Sequence, residues 1–442
     1  TNWIDVIGHA QLNANGGQIV LGDSPTDHFT ADTLEFHAPN GAVWIAENGD
    51  MIVQNGTDLT EVPSNGVSIA LRSDAASPGD MNINSPLLSN TFIDLAAADN
   101  LTISDWLLAQ NSHIYARADH DNTGGPANWL TVDNGIQVRA PESNIWMAGG
   151  NVSLGTGSTI FAGGRYIPGG EDLPDLGQDY GIAILAVDNI LYDGLLWASE
   201  ASVYLEADAR AFLPGTHSHA GPGGQYPHML DVSNGMPGSD DIGELTNGGN
   251  GTILAEGLHS DIIIYAPTLD LDGLNEAGRS FIARVDDGIT LPEGTTVNAH
   301  HGFVSMDANY DMDDNGLFLM NEDSTIVANL HATDAGYVEL FGTSLRLWNV
   351  EANGQTLGGV GIYLGAGGGE AGWVTTDAWI GAYDLDSNFA GADIVFDSTG
   401  QAPLIVEQWP ELLNPLAQGP QWSSEGGFQF GVPGDGDAGP LA

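Results

Sequence analysis

Residues 144–161, NIWMAGGNVSLGTGSTIF, carry the clearest structural signal in the sequence. It holds three short segments of alternating apolar and polar residues, which begin at Asn144, Asn151 and Ser158. Each segment opens with a polar turn-forming residue and continues for about four residues, a pattern typical of β-strands with one buried side. Three such strands within about 20–22 residues predict one coil of a β-solenoid, whose stacked coils bury a continuous core.

The same pattern recurs along the chain, for example at Asn100–Ile103, Ser202–Leu205 and Tyr337–Leu340. A β-sandwich would instead show longer strands, with turns spaced by about 8–12 residues. The sequence therefore predicts an all-β fold built as a single long β-solenoid, or β-helix, over residues 1–400. An array of β-sandwiches and other all-β folds remain the alternatives.

Segments rich in Gly and Pro interrupt this pattern. Residues 163–181 and 212–251 are predicted to be loop insertions that leave the solenoid. From residue 401 onward Pro residues become frequent, and Pro is excluded from the interior of central strands. Residues 401–442 are therefore predicted to form a Pro- and aromatic-rich C-terminal tail. Such a tail either caps its own solenoid or donates a strand to a neighbouring subunit.

The charge balance restricts the partners of the chain. The 442 residues include 59 Asp and Glu but only eight basic residues, all Arg, which gives a formal net charge of −51. A surface of this charge repels nucleic acid and anionic lipid, so neither is expected as a partner. With no Cys, disulfides and thiolate metal sites are excluded. The apolar runs are too short to span a bilayer, so no membrane insertion is expected. The first residue, Thr1, favours a processed, secreted chain located outside the cell or on its surface.

Three segments carry a family resemblance: ADNLTIS at 98–104, AGGNVSLG at 148–155 and VDNILY at 187–192. They resemble coils of the filamentous-haemagglutinin-like β-helix adhesins. The resemblance implies a secreted bacterial surface protein of the kind exported by two-partner secretion or as an autotransporter passenger. The Asn-Pro-Asn motifs typical of the two-partner-secretion targeting domain are absent from the sequence, and no functional residue is carried over.

One motif matches the spacing of a calcium-binding loop. The run DMDDNG at 311–316 places oxygen ligands at Asp311, Asp313 and Asn315, with a Gly at the sixth position and Glu322 at the twelfth. Ca²⁺ is therefore a possible cofactor, held outside an EF-hand because no helix pattern flanks the loop. A solvated β-turn is the alternative, since a chain this rich in Asp, Asn and Gly matches such a pattern by chance.

Enzymatic function is not expected from the sequence. Adjacent carboxylates occur at residues 240–241, 286–287 and 313–314, and glycosidases use paired carboxylates. β-Helix enzymes acting on uronates also need Arg or Lys beside these carboxylates, to hold the anionic substrate. The Arg residues are instead spread singly along the sequence, at positions 72, 117, 139, 165, 210, 279, 284 and 346.

The sequence favours a secreted structural protein with an adhesive role, assembled head-to-tail into an extracellular filament or sheath. Open solenoid ends template further strand pairing, and the alternating segment Phe428, Phe430 and Val432 is the predicted polymerisation contact. One alternative is a monomeric surface adhesin that binds glycans through some of the 11 Trp residues, although most Trp side chains are expected in the core or at coil corners. A polysaccharide-acting β-helix enzyme is the second alternative.

Overall fold

The computed structural model describes most of the chain up to residue 366 and the separate strands beyond it. The described residues are 3–22, 28–54, 66, 68–73, 79–119, 127–164, 180–207, 244–247, 251–310, 316–328, 336–353, 360–366, 373–376, 379–383, 393–398, 404–406, 411–412, 421–424 and 428–430. These residues form β-strands and turns without an α-helix, which confirms the all-β prediction. Accordingly, none of them belongs to a helix with the length and apolar character needed to cross a membrane.

The chain divides into two compact units, and β21 (Ser202–Ala207) contributes to both. Unit 1 comprises residues 1–201 and 206–236, and unit 2 comprises residues 202–205 and 237–442. The other strands of unit 1 are β1 (Trp3–Asn13), β2 (Ile19–Leu21), β3 (His28–His37), β4 (Val43–Glu47), β5 (Met51–Val53), β6 (Ile69–Ser73), β7 (Met81–Ile83), β8 (Leu87–Ser89), β9 (Ile93–Ala96), β10 (Leu101–Ile103), β11 (Leu107–Ala109), β12 (Ile114–Arg117), β13 (Trp129–Val132), β14 (Gln137–Ala140), β15 (Ile145–Gly149), β16 (Asn151–Leu154), β17 (Thr159–Ala162), β18 (Tyr180–Ala186), β19 (Ile190–Tyr192) and β20 (Leu195–Ala198).

Unit 2 contains the remaining strands. They are β22 (Glu244–Asn247), β23 (Thr252–Ala255), β24 (Ile262–Asp270), β25 (Leu274–Ala277), β26 (Phe281–Leu291), β27 (Thr296–Ala299), β28 (Val304–Asp307), β29 (Leu317–Met320), β30 (Thr325–Ala328), β31 (Val338–Gly342), β32 (Ser344–Leu347), β33 (Asn349–Asn353), β34 (Val360–Ala366), β35 (Trp373–Thr376), β36 (Trp379–Tyr383), β37 (Asp393–Ser398), β38 (Leu404–Val406), β39 (Glu411–Leu412), β40 (Gln421–Ser424) and β41 (Phe428–Phe430).

Within unit 1, parallel pairing sorts the strands into three faces. The first face holds β1, β3, β5, β7, β10, β13, β16 and β19. The second face holds β8, β11, β14, β17 and β20. The third face holds β2, β4, β6, β9, β12, β15 and β18. From β7 onward each coil therefore contributes one strand to each face, and the segment 144–161 forms β15, β16 and β17.

Stacked apolar side chains fill the space between the three faces. On the first face Leu101 pairs with Met81 on one side and with Leu130 on the other, and all three side chains are fully buried. Ile103 is likewise buried between Ile83 and its partner on β13. Alternate residues of each strand point to the core because successive side chains lie on opposite sides of a strand, which is why the short alternating segments identify the strands.

Polar side chains stack at the turns that lead into the first face. The Asp80 Oδ1 atom accepts hydrogen bonds from the backbone N–H of Asn100 and from its side-chain Nδ2, at 3.1 and 2.8 Å. The Asn100 Oδ1 atom in turn accepts the Trp129 backbone N–H at 2.8 Å. Asn151 and Asn189 repeat the arrangement, with a 2.8 Å bond from Nδ2 to Oδ1. These ladders satisfy backbone groups at the turns and so fix the register of successive coils.

Coil length varies more than the 20–22 residues predicted. The Asp80–Asn100 step spans 20 residues, whereas the Asn151–Asn189 step spans 38. The longer step includes the interval between β17 and β18, and β18 still pairs in parallel register with β15. Most of the predicted insertions at 163–181 and 212–251 lies outside the described residues, but Glu244–Asn247 forms β22 and pairs with β24.

Unit 2 repeats the arrangement of three parallel ladders. Within unit 2, the ladder called its third face holds the first halves of β24 and β26 with β28, β31, β34, β37 and β40. The ladder called its first face holds β22 and the second halves of β24 and β26 with β29, β32, β35, β38 and β41. The pairing of β24 with β26 shifts register between Ala266 and Thr268. The ladders extend beyond residue 400, where the sequence had placed a separate tail: β38, β39, β40 and β41 each pair in parallel with an earlier strand. In the sequence, Pro403, Pro410 and Pro420 directly precede β38, β39 and β40.

Candidate functional site

The outer surface of the third face of unit 1 presents two columns of side chains. One column contains, from coil to coil, Trp44, Ala70, Asp94, Tyr115 and Trp146. The other contains Ala46, Arg72, Ala96, Arg117 and Ala148. Both columns arise because parallel strands in register place equivalent outward positions one above the other. Residues far apart in the sequence therefore meet at this surface.

Four aromatic rings follow one another beside the arginines. Phe92 stacks on His113 with ring centroids 5.5 Å apart and an interplanar angle of 11°. The His113 ring lies 4.0 Å from that of Tyr115, and Tyr115 meets Trp146 edge-on at 5.2 Å. These side chains are only half-buried. Phe92, His113, Tyr115 and Trp146, together with Arg72, Asp94 and Arg117, are called the arginine–aromatic patch below.

Two titratable groups of the patch have shifted pKa values. Burial raises the pKa of Asp94 to about 6, and the positive charge of Arg72 opposes this rise. Burial lowers the pKa of His113 to about 4, so its ring is neutral at pH 7. His113 Nδ1 lies 3.1 Å from the Ser112 hydroxyl, within hydrogen-bond distance. The patch therefore carries two guanidinium groups and one carboxyl group, in a chain whose net charge is −51.

Unit 2 also presents aromatic side chains on its third face. Phe303 and Tyr337 stack with centroids 4.8 Å apart and an interplanar angle of 5°. Beside them Arg284 donates hydrogen bonds to the Ser305 backbone carbonyl and hydroxyl oxygens, and the Ser305 hydroxyl donates to Glu339 at 3.1 Å. Burial raises the pKa of Tyr337, with Glu339 adding to the rise and Arg284 opposing it. In unit 2 the Arg is thus held by neighbouring groups within the sheet.

The second face of unit 1 has a smaller aromatic group. Phe161 and Trp197 lie one coil apart, with ring centroids separated by 4.7 Å. The Arg139 guanidinium lies over the Phe161 ring, 5.2 Å from its centroid, which is within the range of a cation–π interaction. The second face therefore carries an Arg beside aromatic rings, outside the arginine–aromatic patch.

The structure corrects two sequence-based predictions. The sequence predicts most Trp side chains in the core or at coil corners, but no Trp side chain whose burial is described lies in the core. Some stand between strands, namely Trp106 and Trp348, and others lie on outward strand positions, namely Trp44, Trp146 and Trp197. The spacing of the Arg residues in the sequence predicts that they are isolated, whereas Arg72 and Arg117 both flank Ala96 in the ladder. No local sequence signal shows this proximity, because it depends on two coils of different length.

Most of the predicted calcium ligands lie outside the described residues. Asp311, Asp313 and Asn315 belong to this group, while Glu322 is exposed in the turn after β29. The Gly of the motif has a structural role of its own: Gly316 has φ +108°, and a Cβ there would lie 2.0 Å from the Ala308 carbonyl oxygen. Nowhere in the described part of the chain do three or more His, Asp or Glu side chains form a group able to hold a metal ion. Calcium binding stays a prediction.

The predicted polymerisation contact lies at the last described strand. Phe428 and Phe430 belong to β41, which pairs with β38, while Val432 lies outside the described residues.

Comparison with protein-family models, with curated proteins and with solved structures finds no match to this chain.

Proposed function

We propose that this protein is a secreted, extracellular structural protein with an adhesive role, and that the arginine–aromatic patch is a contact surface for carbohydrate. The finer architecture is part of this proposal: both units use three parallel ladders, as expected if the whole chain is a single β-solenoid. Stacked coils of this kind give extended surfaces on which side chains repeat at the spacing of the strands. The resemblance to filamentous-haemagglutinin-like adhesins agrees with this function.

The observation that supports carbohydrate binding is the row of half-buried rings from Phe92 to Trp146. Aromatic side chains offer an apolar face for a sugar ring and lose little conformational entropy when they bind. Polar groups beside such a surface orient the ligand, and here Arg72, Asp94 and Arg117 lie next to the rings. Contiguous exposed apolar patches on proteins often mark ligand- or protein-binding sites.

Glycan-array binding tests this function. The wild-type protein is expected to bind a subset of immobilised glycans, and Trp146→Ala is expected to weaken that binding by about tenfold, the effect of losing a contact of about 1.4 kcal/mol. Thr102→Ala, on the outer side of the first face, is the matched control and should bind like wild type. Absence of binding to every glycan would refute the carbohydrate function. Release of sugar products from a polysaccharide would instead support the enzyme alternative.

Head-to-tail assembly into a filament is the second candidate function. The observation that favours it is that β41 pairs through one edge with β38, and no described strand pairs with its other edge. A strand edge of this kind accepts a further strand. Negative-stain microscopy should show long uniform fibres for wild type and for Trp146→Ala, and shorter ones for the double variant Phe428→Asp, Phe430→Asp. Dispersed particles at all protein and salt concentrations would rule the filament out.

A further inference from the structure

We propose that the arginine–aromatic patch binds an acidic, uronate-containing oligosaccharide, whose carboxylates are held by Arg72 and Arg117. This inference rests on the carbohydrate-binding function proposed above and names the class of ligand.

Ala and Arg alternate from coil to coil along one column of the third face. Arg72 and Arg117 each pair with Ala96, from opposite sides. Neighbouring strands are spaced by about 4.8 Å, so the two Arg backbones are roughly 10 Å apart, with only a methyl group between them. The column thus carries a guanidinium-bearing side chain on each side of Ala96. A planar guanidinium binds a carboxylate through two parallel hydrogen bonds.

The charge of the surface points to an anionic ligand. The eight outward positions of β6, β9, β12 and β15 carry two Arg and one carboxylate, Asp94. In a chain with 59 acidic and eight basic residues, such a local excess of positive groups contrasts with the net charge. At physiological ionic strength charges act over about 8 Å, so distant acidic residues do not cancel the attraction of the patch. Burial raises the pKa of Asp94, so at mildly acidic pH more of its carboxyl group is protonated and its charge repels an anionic ligand less.

The aromatic rings distinguish a sugar acid from a simple anion. Tyr115 and Trp146 occupy the column next to the arginines, one strand apart, and Phe92 and His113 extend the row of rings. Because His113 is neutral at pH 7, the row presents ring surface and not further charge. A ligand that carries both a carboxylate and a ring with an apolar face contacts the arginines and the aromatic rings of the patch together. Uronate sugars have this chemistry, whereas free phosphate has only the anion.

The test compares acidic oligosaccharides with their neutral methyl esters. Hexagalacturonate, hexaguluronate and hexamannuronate are titrated into the full-length wild-type protein in a calorimeter at about 0.15 M salt. Esterification removes the ligand charge and keeps the sugar rings. At least one uronate is expected to bind about tenfold or more tightly than its ester, the usual effect of losing a charge-assisted hydrogen bond.

Matched variants assign the effect to the patch. Arg117→Gln is expected to weaken uronate binding by about tenfold and to weaken ester binding much less, because only the acid loses a charge-assisted contact. Arg117→Lys is expected to retain part of the uronate affinity because charge remains without the planar fork. Arg139→Gln removes the same charge from the second face and should bind like wild type. Thermal unfolding of each variant checks that it is folded, and the comparison of acid with ester in wild type needs no variant.

The outcomes separate this inference from the function on which it rests. Equal binding of acid and ester, or equal effects of Arg117→Gln and Arg139→Gln, would overturn the uronate proposal and leave carbohydrate binding standing. If no oligosaccharide of either kind binds here, and no glycan binds on the array, both fail. Stronger binding of a thymidine hexanucleotide than of any uronate would also overturn it, since rings beside positive charge suit single-stranded nucleic acid too.

Discussion

Glu47 provides a direct test of the energetics of the unit 1 core. This side chain is 1 % exposed at the end of β4, and its Oε1 atom accepts the Ala31 backbone N–H at 2.6 Å. The Oε2 atom has no hydrogen-bond partner among the described residues. Burial raises the pKa of Glu47 from 4.5 to about 7; the Ala31 hydrogen bond opposes this rise, and the negative charge of Asp50 adds to it. The ionised carboxylate is therefore the unfavourable form in the folded protein.

The sign and size of the effect follow from this pKa. Because the pKa of the carboxyl is higher in the folded state than in the unfolded state, its contribution to stability is fully present below pH 4.5 and is lost as the pH rises through 7. A rise from 4.5 to about 7 corresponds to about 3 kcal/mol between these limits. Glu47→Gln keeps an oxygen to accept the Ala31 N–H and stays neutral. We expect it to raise the free energy of unfolding at pH 8 by about 2–3 kcal/mol and to leave it nearly unchanged at pH 4.5.

Urea unfolding followed by Trp fluorescence, at several pH values between 4.5 and 8, measures this difference. Glu142→Gln removes one charge from an exposed site in the same unit and is the control, with an expected change within about 0.5 kcal/mol. The net charge makes stability depend on pH in every variant, so only the difference between Glu47→Gln and Glu142→Gln is informative. If the two variants lose stability in parallel from pH 4.5 to 8, the reasoning about Glu47 is refuted.

Three further predictions concern the ladder, the core and calcium. Asn100→Ala removes the side-chain partners of the Trp129 N–H and of an Asp80 carboxylate oxygen, and should lower the free energy of unfolding by about 1–3 kcal/mol. Asn111→Ala, at an exposed site, should lower the free energy of unfolding by less. Equal decreases for the two variants in urea titrations would argue against the stabilising role of the ladder. Ile103→Ala should lower the free energy of unfolding by about 2–5 kcal/mol because it leaves a cavity in the core. Thr102→Ala, on the outer side of the same strand, should change the free energy of unfolding by less than about 0.5 kcal/mol. If the loop at 311–322 binds Ca²⁺, the melting temperature should rise with calcium and fall with EDTA; an unchanged value would remove the site.

Much of the fold could be predicted because its signal is local. Alternation with period two is visible within four residues, and the Asn or Asp before each strand is visible as well. The segments at 98–104, 148–155 and 187–192 were noticed for this texture, and their Asn100, Asn151 and Asn189 prove to be the ladder residues. The hydrogen bonds of these Asn side chains to the neighbouring coil could not be predicted, because the partners lie 20 or 38 residues away in the sequence and no fixed spacing identifies them.

Local sequence pattern is enough to predict an all-β chain of short strands separated by polar turn residues, because each of these properties depends on neighbouring residues. Only the tertiary structure decided which outward residues share a surface. Arg72, Ala96 and Arg117 meet because three coils of unequal length stack in register. That register is set by buried apolar columns and side-chain ladders across coils, and the lengths of the intervening connections do not affect it. The arginine–aromatic patch is therefore a product of stacking.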